Sequence, residues 1–192
     1  LSRPLDQYSG ENWETELFVT QVSPVGPNTA NIINWMITNY SDLVIDSTSF
    51  TAVAGYLTNY PSHFGIFERK DTLAASEEVA WQARCTVYVI NNIAYIKYLA
   101  REELPVVNIS ENDVINETFQ LDYSVTENLV TKFTAIWRKA YTDVKEGRIV
   151  LRNNIPKYGR IEQEYDFYIY NIESLVLKSA TFWMIRYSNT WK

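Results

Sequence analysis

The sequence is poor in residues that form cross-links and metal sites. It contains one cysteine, Cys85, and one histidine, His63, among 192 residues. A lone cysteine excludes an internal disulfide framework, and a lone histidine without further cysteines argues against a zinc site. A nucleophilic Cys85–His63 pair stays open as an alternative, but it would need an orienting third group and an oxyanion site. We expect Cys85 to be a small buried residue that closes a helix.

Clusters of positive charge and long apolar runs are missing as well. The formal net charge is −6, and no block of Lys and Arg offers the phosphate-neutralising stripe that nucleic-acid binding needs. No run of about 18 apolar residues is present, so we expect no membrane-spanning helix. The motifs G-x-G-x-x-G, P-loop and G-x-S-x-G are absent too. We therefore expect no catalytic residues, no cofactor, no metal site and no specific nucleic-acid binding.

Aromatic residues, in contrast, are abundant. They make up 15% of the sequence and include 14 tyrosines, while hydrophobic residues make up 46% and suffice for a substantial core. Tyrosine and tryptophan combine rigid contact area with a polar group, so this richness is typical of strands and interfaces. The length fits one large domain or two small ones.

Residues 28–104 are predicted to form a small α+β lobe that begins with a helix. Apolar residues recur at helical spacing between positions 32 and 40, and Asn28 or Thr29 is the predicted N-cap. A second helix is predicted to begin after Asp71, whose carboxylate suits the capping position.

Strands are predicted around these two helices. Their β-branched and aromatic content places them at 43–50 and 64–68. The segment 86–99 predicts a hairpin, because the Asn91-Asn92 pair tolerates the positive φ that a tight turn requires.

Residues 105–192 are predicted to form a second, β-rich unit with a C-terminal helix. Alternating patterns predict strands at 129–141 and 161–170, and residues 1–27 are irregular and are a candidate to complete this unit's sheet. One face of the last helix is predicted to contain Val176, Ala180, Trp183 and Tyr187.

The strongest candidate for chemistry is a row of acids in the strand 161–170. Glu162, Glu164 and Asp166 occupy alternate positions, which places the three carboxylates side by side on one strand face. Adjacent carboxylates suit calcium binding or acid/base hydrolysis of glycosides. A straight strand offers neither a carbonyl-rich loop nor a cleft, so we favour a solvated or partner-facing surface, with Arg138 as a candidate ionic partner.

Weaker candidates are scattered over the sequence. Glu77 and Glu78 are most simply an exposed helix face, and Asn-x-Ser/Thr triplets matter only in a protein secreted from a eukaryotic cell. Tryptophans stack on sugar rings in glycan-binding modules, although packing is their more frequent role. The tryptophans of interest are Trp13, Trp35 and Trp191, and the triplets begin at Asn39, Asn108 and Asn116.

Three segments of the second half share their order with one known family. They are "ENLVTKFTAIWRKAY", "VLRNNIPKYGRIEQEYDFYIYN" and a helix that ends in "IRYSNTWK". This half resembles the tail hub proteins of long-tailed bacteriophages, in which a basic-Tyr-Gly-Arg corner, here Lys157–Arg160, starts an acidic strand and a helix follows. In the first half, "NTANIINWMITNYSDLVIDSTSF" and "DTLAASEEVAWQARCTVYVINNIAYIKYL" are similar to the family's first helix and to the helix plus hairpin of its small inserted domain.

The resemblance implies an α+β fold with an antiparallel, barrel-like β-sheet, packed helices and an inserted small α+β lobe. It also implies a non-catalytic structural role at the tail tip of the virion, as a hub or adaptor that joins the tail tube to the baseplate or spike. Such hubs are usually homotrimeric, so the implied partners are further copies of the chain together with tube and spike proteins. In the family the chain continues past the last helix, so we expect this sequence to be a piece of a larger protein.

Two rival functions stay open. A carbohydrate- or host-receptor-binding module rests on the aromatic and acidic side chains. A glycoside hydrolase fragment rests on the carboxylate row, and it would need one carboxylate in a pocket with a raised pKa. For the hub itself, we expect the acidic strand to face a channel that does not bind passing DNA. We also expect Gly159→Val to destabilise the fold, because glycine permits a backbone bend that a Cβ blocks.

Overall fold

The computed structural model describes residues 24–66, 68–101, 110, 129–138 and 146–189. The helices in these ranges are α1 (Thr29–Tyr40), α2 (Ser47–Tyr56), α3 (Thr72–Gln82), α4 (Ile155–Tyr158) and α5 (Glu173–Tyr187). The strands are β1 (Val44–Ile45), β2 (Cys85–Ile90), β3 (Ile93–Tyr98), β4 (Lys132–Arg138), β5 (Glu146–Arg152) and β6 (Glu162–Asp166). The α+β class predicted from the sequence is confirmed.

The described strands form two separate three-stranded sheets, with the orders β1-β3-β2 and β5-β4-β6. Each sheet is mixed, because β1 runs parallel to β3 and β6 runs parallel to β4, while β2–β3 and β4–β5 are antiparallel. The predicted antiparallel pairing therefore holds for β2–β3 and β4–β5, but it is wrong for β1–β3 and β4–β6. The short helix α4 and the corner after it reverse the direction of the chain after β5. For this reason β6 runs parallel to β4. No closed barrel is formed by the strands of the described ranges.

Short polar side chains begin the first and third helices at the predicted positions. The Asn28 carboxamide oxygen accepts a hydrogen bond from the Ala30 N–H at 3.0 Å, and the Asp71 carboxylate accepts one from the Ala74 N–H at 2.9 Å. The predicted hairpin turn is confirmed too, with φ of 50° at Asn91 and 64° at Asn92. These features depend only on neighbours within a few residues, which is why the sequence was sufficient to predict them.

The strand predicted at 161–170 is shorter in the structure, where β6 ends at Asp166. Two further predicted strands, at 43–50 and 64–68, are wrong. The first is reduced to the two residues of β1, because the Asp46 carboxylate accepts from the Ser49 N–H at 2.8 Å and starts α2 where more strand was expected. The second, around 64–66, is not a strand. Instead, the Phe64 ring contacts Tyr168 edge-on at 5.7 Å, so its aromatic content serves packing and not sheet pairing.

The last helix buries the face predicted from its periodicity. Val176 and Ala180 are fully buried, and Trp183 is 7% exposed. Between α3 and α5, the rings of Trp81 and Trp183 stack with centroids 5.0 Å apart. Their contact belongs to one hydrophobic cluster that contains residues from both halves of the chain.

The region between the two predicted units lies outside the described residues. This holds for the predicted boundary between residues 104 and 105 and for the first 23 residues of the N-terminal segment. Residues 24–27 are described, and they form bends before the Asn28 cap.

Candidate functional site

The acidic row lies on β6 with its carboxylates exposed as the alternation predicts, although Gln163 on the opposite face is exposed as well. Glu162, Glu164 and Asp166 are exposed. On the opposite face, Tyr165 is half-buried and stacks on the fully buried Phe133 with ring centroids 4.4 Å apart. The apolar face therefore anchors β6 in the core and leaves the carboxylates on the solvent side.

Basic side chains of neighbouring segments form ion pairs with Glu162 and Glu164 of this row. The Lys132 Nζ lies 2.8 Å from the Glu162 Oε2, directly across the parallel β4–β6 register, and Arg160 also forms an ion pair with Glu162. The Arg148 Nη1 reaches across from β5 to the Glu164 Oε1 at 3.3 Å. These contacts make the row a surface ion-pair network of a sheet. Arg138, the ionic partner predicted from the sequence, is the last residue of β4. Its predicted ion pair with the acidic row lies outside the part of the chain that the structure describes.

The row does not resemble a metal or hydrolytic centre. Side-chain exposure is 41% for Glu162 and 55% for Glu164, so both carboxylates stay largely hydrated. In the described ranges, no group of three or more His, Cys, Asp or Glu side chains is placed to hold a metal ion. Two cations already contact Glu162, whereas a catalytic carboxylate is typically desolvated in a cleft.

Cys85 and His63 do not form a reactive pair. Cys85 is 2% exposed at the start of β2, and its thiol contacts the Ala83 carbonyl at 3.5 Å. Burial raises the pKa of this thiol to about 12, so the nucleophilic thiolate is disfavoured. His63 is exposed, and its backbone N–H donates to the Ile169 carbonyl at 2.8 Å. The expected buried cysteine is confirmed, although it begins a strand and does not close a helix.

The weaker candidates differ in their exposure and contacts. Trp35 is 41% exposed and contacts the ring of Tyr40 edge-on at 5.4 Å. Glu77 is exposed, while Glu78 is partly buried and pairs with Lys70 at 2.9 Å. The Asn39 side chain donates to the Trp35 carbonyl at 2.8 Å. The candidates Trp13, Trp191, Asn108 and Asn116 lie outside the described residues.

Sequence patterns did not reveal a pocket of about 400 Å³ on the outer side of α5. Its walls include Arg84, Lys178, Phe182 and Arg186, which come from the α3–β2 connection and from α5. Lys178, Phe182 and Arg186 have helical i, i+4, i+8 spacing, a signal for a shared face that the sequence does contain. The position of Arg84 beside them depends on residues about a hundred positions away, which no local pattern reveals.

Two further findings concern the chain as a whole. No helix in the described ranges is long and apolar enough to cross a membrane. The chain matches no protein-family model and no curated protein.

Proposed function

We propose that the chain is a non-catalytic structural component of a phage tail tip, a hub or adaptor that joins the tail tube to the baseplate or spike. The described parts of the second-half segments that carry the resemblance pack against one another, which supports this proposal. Strand β4 lies between β5 and β6, and the Tyr187 ring of α5 stacks on Phe133 at 6.4 Å. The order of these elements matches the order of the family's motifs.

The observation that carries the proposal is the ion-paired state of the acidic row. Lys132, Arg148 and Arg160 hold the carboxylates of Glu162 and Glu164 on an exposed sheet face. Such a face suits a scaffold that meets solvent or a partner. A glycoside hydrolase is disfavoured, because its general acid needs a carboxyl group that is desolvated and protonated at the working pH.

The barrel-like sheet belongs to the same proposal. Within the described ranges, β5 and β6 are the edges of their sheet, and an edge strand is the position at which a further strand can be added. In the hub, strands from other parts of the chain or from neighbouring subunits extend this sheet toward closure. The assembly is a homotrimer that contacts tube and spike proteins, and it is located at the tail tip of the virion.

In this assembly, we place the strand β6 at the wall of the channel. If Glu162 and Glu164 face the lumen, the net negative charge of the chain helps to keep passing DNA from binding. A reconstruction of the tail tip by electron microscopy tests this part of the proposal. A map that places β6 on the outer surface of the ring contradicts it.

The direct test of the main proposal is immunogold labelling of phage particles with an antibody against this chain. We expect gold at the distal end of the tail tube. Gold on side fibres would transfer the proposal to receptor binding. Protein found only free in the lysate, with no labelled particle, would overturn the structural role and return the carboxylate row to consideration as an active site.

A second candidate, a carbohydrate- or host-receptor-binding module, is favoured by one observation. Trp35 and Tyr40 form an aromatic pair on α1 in which Tyr40 is 65% exposed. Exposed aromatic faces stack on sugars and receptor side chains. Saturable oligosaccharide binding that Trp35→Ala abolishes, with unchanged thermal stability, would support this function. Equal binding by the variant would dismiss this pair as the site.

A further inference from the structure

The pocket on the outer side of α5 has the dimensions of a small-molecule site. Its volume of about 400 Å³ lies within the usual range for ligand pockets. It lies beside α5, and the segments that follow α2, α3 and β3 contribute Tyr60, Arg84 and Arg101 respectively. Four of its lining residues are basic, although the chain as a whole has a net charge of −6.

An aromatic ring and backbone carbonyls hold two of these cations, Arg84 and Arg186, in place. The guanidinium carbons of Arg84 and Arg186 lie 4.2 Å and 4.5 Å from the centroid of the same ring, that of Phe182. The Arg84 Nη2 donates to the Leu99 carbonyl and the Arg186 Nη2 to the Ala100 carbonyl, each at 3.3 Å. The guanidinium groups are thus oriented before any ligand arrives, which lowers the entropic cost of binding.

The pocket has no negative charge of its own within the described part of the chain. Its described lining contains no Asp or Glu, and no ion pair between described residues involves Arg84, Arg101, Lys178 or Arg186. The Nε of Arg84 is buried without a hydrogen-bond partner among these residues. Two guanidinium groups on one ring repel each other, so an anion beside them relieves an existing electrostatic cost. On β6, in contrast, basic side chains already have carboxylate partners.

The remaining lining is apolar. Leu177, Phe182 and Ile185 provide aliphatic and aromatic surface between the cationic side chains. An inorganic ion alone would leave this surface in water. We propose that the pocket binds a small organic anion, in which a carboxylate, phosphate or sulfonate group is attached to an apolar body. This site is independent of the proposed structural role.

A matched pair of fluorescent probes tests this inference. 8-Anilinonaphthalene-1-sulfonate has the proposed chemistry, and N-phenyl-1-naphthylamine is the same aromatic body without the sulfonate. Titration of the folded chain should give saturable binding of the sulfonate to a single class of site. We expect affinity roughly tenfold higher than for the neutral probe, and a loss of that advantage at high salt because screening weakens charge attraction.

Paired charge variants locate the site. We expect Lys178→Gln/Arg186→Gln to weaken sulfonate binding roughly tenfold or more, while affinity for the neutral probe changes little. The control, Lys97→Gln/Arg152→Gln, removes the same charge from exposed residues outside the pocket and should leave binding unchanged. Thermal unfolding of each variant verifies folding, and Arg101→Gln, outside the helix, replaces the double variant if that one fails to fold. Absent sulfonate binding, equal affinity for the two probes, or equal loss in the control variant would each overturn the proposal.

Discussion

At the scale of single residues, some positive φ angles follow from the residue type, and others are imposed by tertiary contacts. Asn91, Asn92 and Asn154 adopt positive φ, as asparagine often does in turns. Arg84 also has a positive φ, of 59°, without any such intrinsic preference. Its carbonyl accepts from the Leu99 N–H at 2.7 Å, and this contact with the end of β3 helps to hold the conformation.

Gly159 gives a residue-scale prediction with an internal control. Its φ of 77° and ψ of −175° lie in a region that is essentially restricted to glycine, and no described neighbour lies within 4 Å of the place that a Cβ would occupy. The cost of a substitution is therefore backbone strain and not a clash with a neighbour. We expect Gly159→Ala, like Gly159→Val, to lower the free energy of unfolding by about 1–3 kcal/mol, measured by urea denaturation.

The control for Gly159 is Gly55, which lies inside α2. A Cβ at Gly55 would likewise have no described neighbour within 4 Å. Because alanine is the better helix former, Gly55→Ala should raise stability by up to about 1 kcal/mol. Equal effects of the two alanine variants would show that backbone conformation does not govern the Gly159 corner.

Cys85 gives a second residue-scale prediction, which concerns pH. Burial raises the pKa of its thiol from 9.0 to about 12 in the folded state. The stability from the neutral buried thiol is fully present below about pH 9 and is lost as the pH rises toward about 12, where the folded-state thiol ionises. We expect Cys85→Ala to be less stable than the parent chain at pH 7, and this difference to shrink by pH 11. Urea denaturation at both pH values measures it, and a constant difference would contradict the role of thiol ionisation.

At the scale of secondary-structure elements, buried polar groups join α3 to α5. The Ser179 hydroxyl donates to the Gln82 carbonyl at 2.5 Å, and the Gln82 side-chain oxygen accepts from the Ile169 N–H at 3.2 Å. Both side chains are nearly inaccessible to water. These bonds satisfy backbone groups at the end of α3 and before α5 that would otherwise be buried without a partner.

Two serine variants test this interface. Ser179→Ala leaves the buried Gln82 carbonyl without its donor, so we expect a loss of about 1–3 kcal/mol in unfolding free energy. Ser76 is also fully buried, but its hydroxyl has no hydrogen-bond partner in the described ranges. Ser76→Ala removes that unsatisfied group and should be neutral or stabilising. Thermal or urea denaturation compares the two, and a greater loss for Ser76→Ala would reverse the assignment.

The acidic row on β6 gives a prediction for the sheet. Since Glu162 pairs with Lys132 and Arg160 on a hydrated surface, we expect Glu162→Gln to cost no more than about 1 kcal/mol. The loss should fade at about 1 M NaCl, where surface charges are screened. Denaturation at low and high salt measures it. A loss that persists or grows at high salt would mean that Glu162 has a role beyond surface ion pairing.

At the scale of the whole molecule, the aromatic core connects the two sheets through α3 and α5. The Trp81 Nε1–H donates to the Tyr187 hydroxyl at 3.1 Å, and the Trp183 Nε1–H donates to the Trp81 carbonyl at 3.0 Å. Trp81 also lies against Tyr165 of β6 at 5.4 Å. This shared cluster leads us to expect cooperative unfolding of the described elements.

A substitution in the second half of the chain tests this cooperativity when hydrogen exchange is measured in both halves. Trp183→Phe removes one hydrogen bond and part of the stacked surface, so we expect about 1–3 kcal/mol of destabilisation. Hydrogen exchange of β3 and β4 amides should accelerate by the same factor, because one opening event exposes both strands. The exposed Val150→Thr serves as a control. Faster exchange in β4 alone would indicate two independently folding units.

Features that depend on near neighbours could be predicted from the amino-acid order alone. The Asn28 and Asp71 caps, the Asn91-Asn92 turn and the two faces of β6 follow from contacts within a few residues or from the alternation of a strand. The Asp46 cap is equally local, but the β-branched residues around it predict a strand.

Contacts between segments that are distant in the sequence depend on the tertiary structure, and no local pattern predicts them. The parallel pairing of β6 with β4 brings Lys132 to Glu162, and the α3–α5 contact brings Arg84 to Phe182. Neither partner is encoded by a repeat or a spacing, because chain reversals and core packing set the distance between segments far apart in sequence. For this reason the acidic row became a paired surface, and the cationic pocket emerged where the sequence indicated no site.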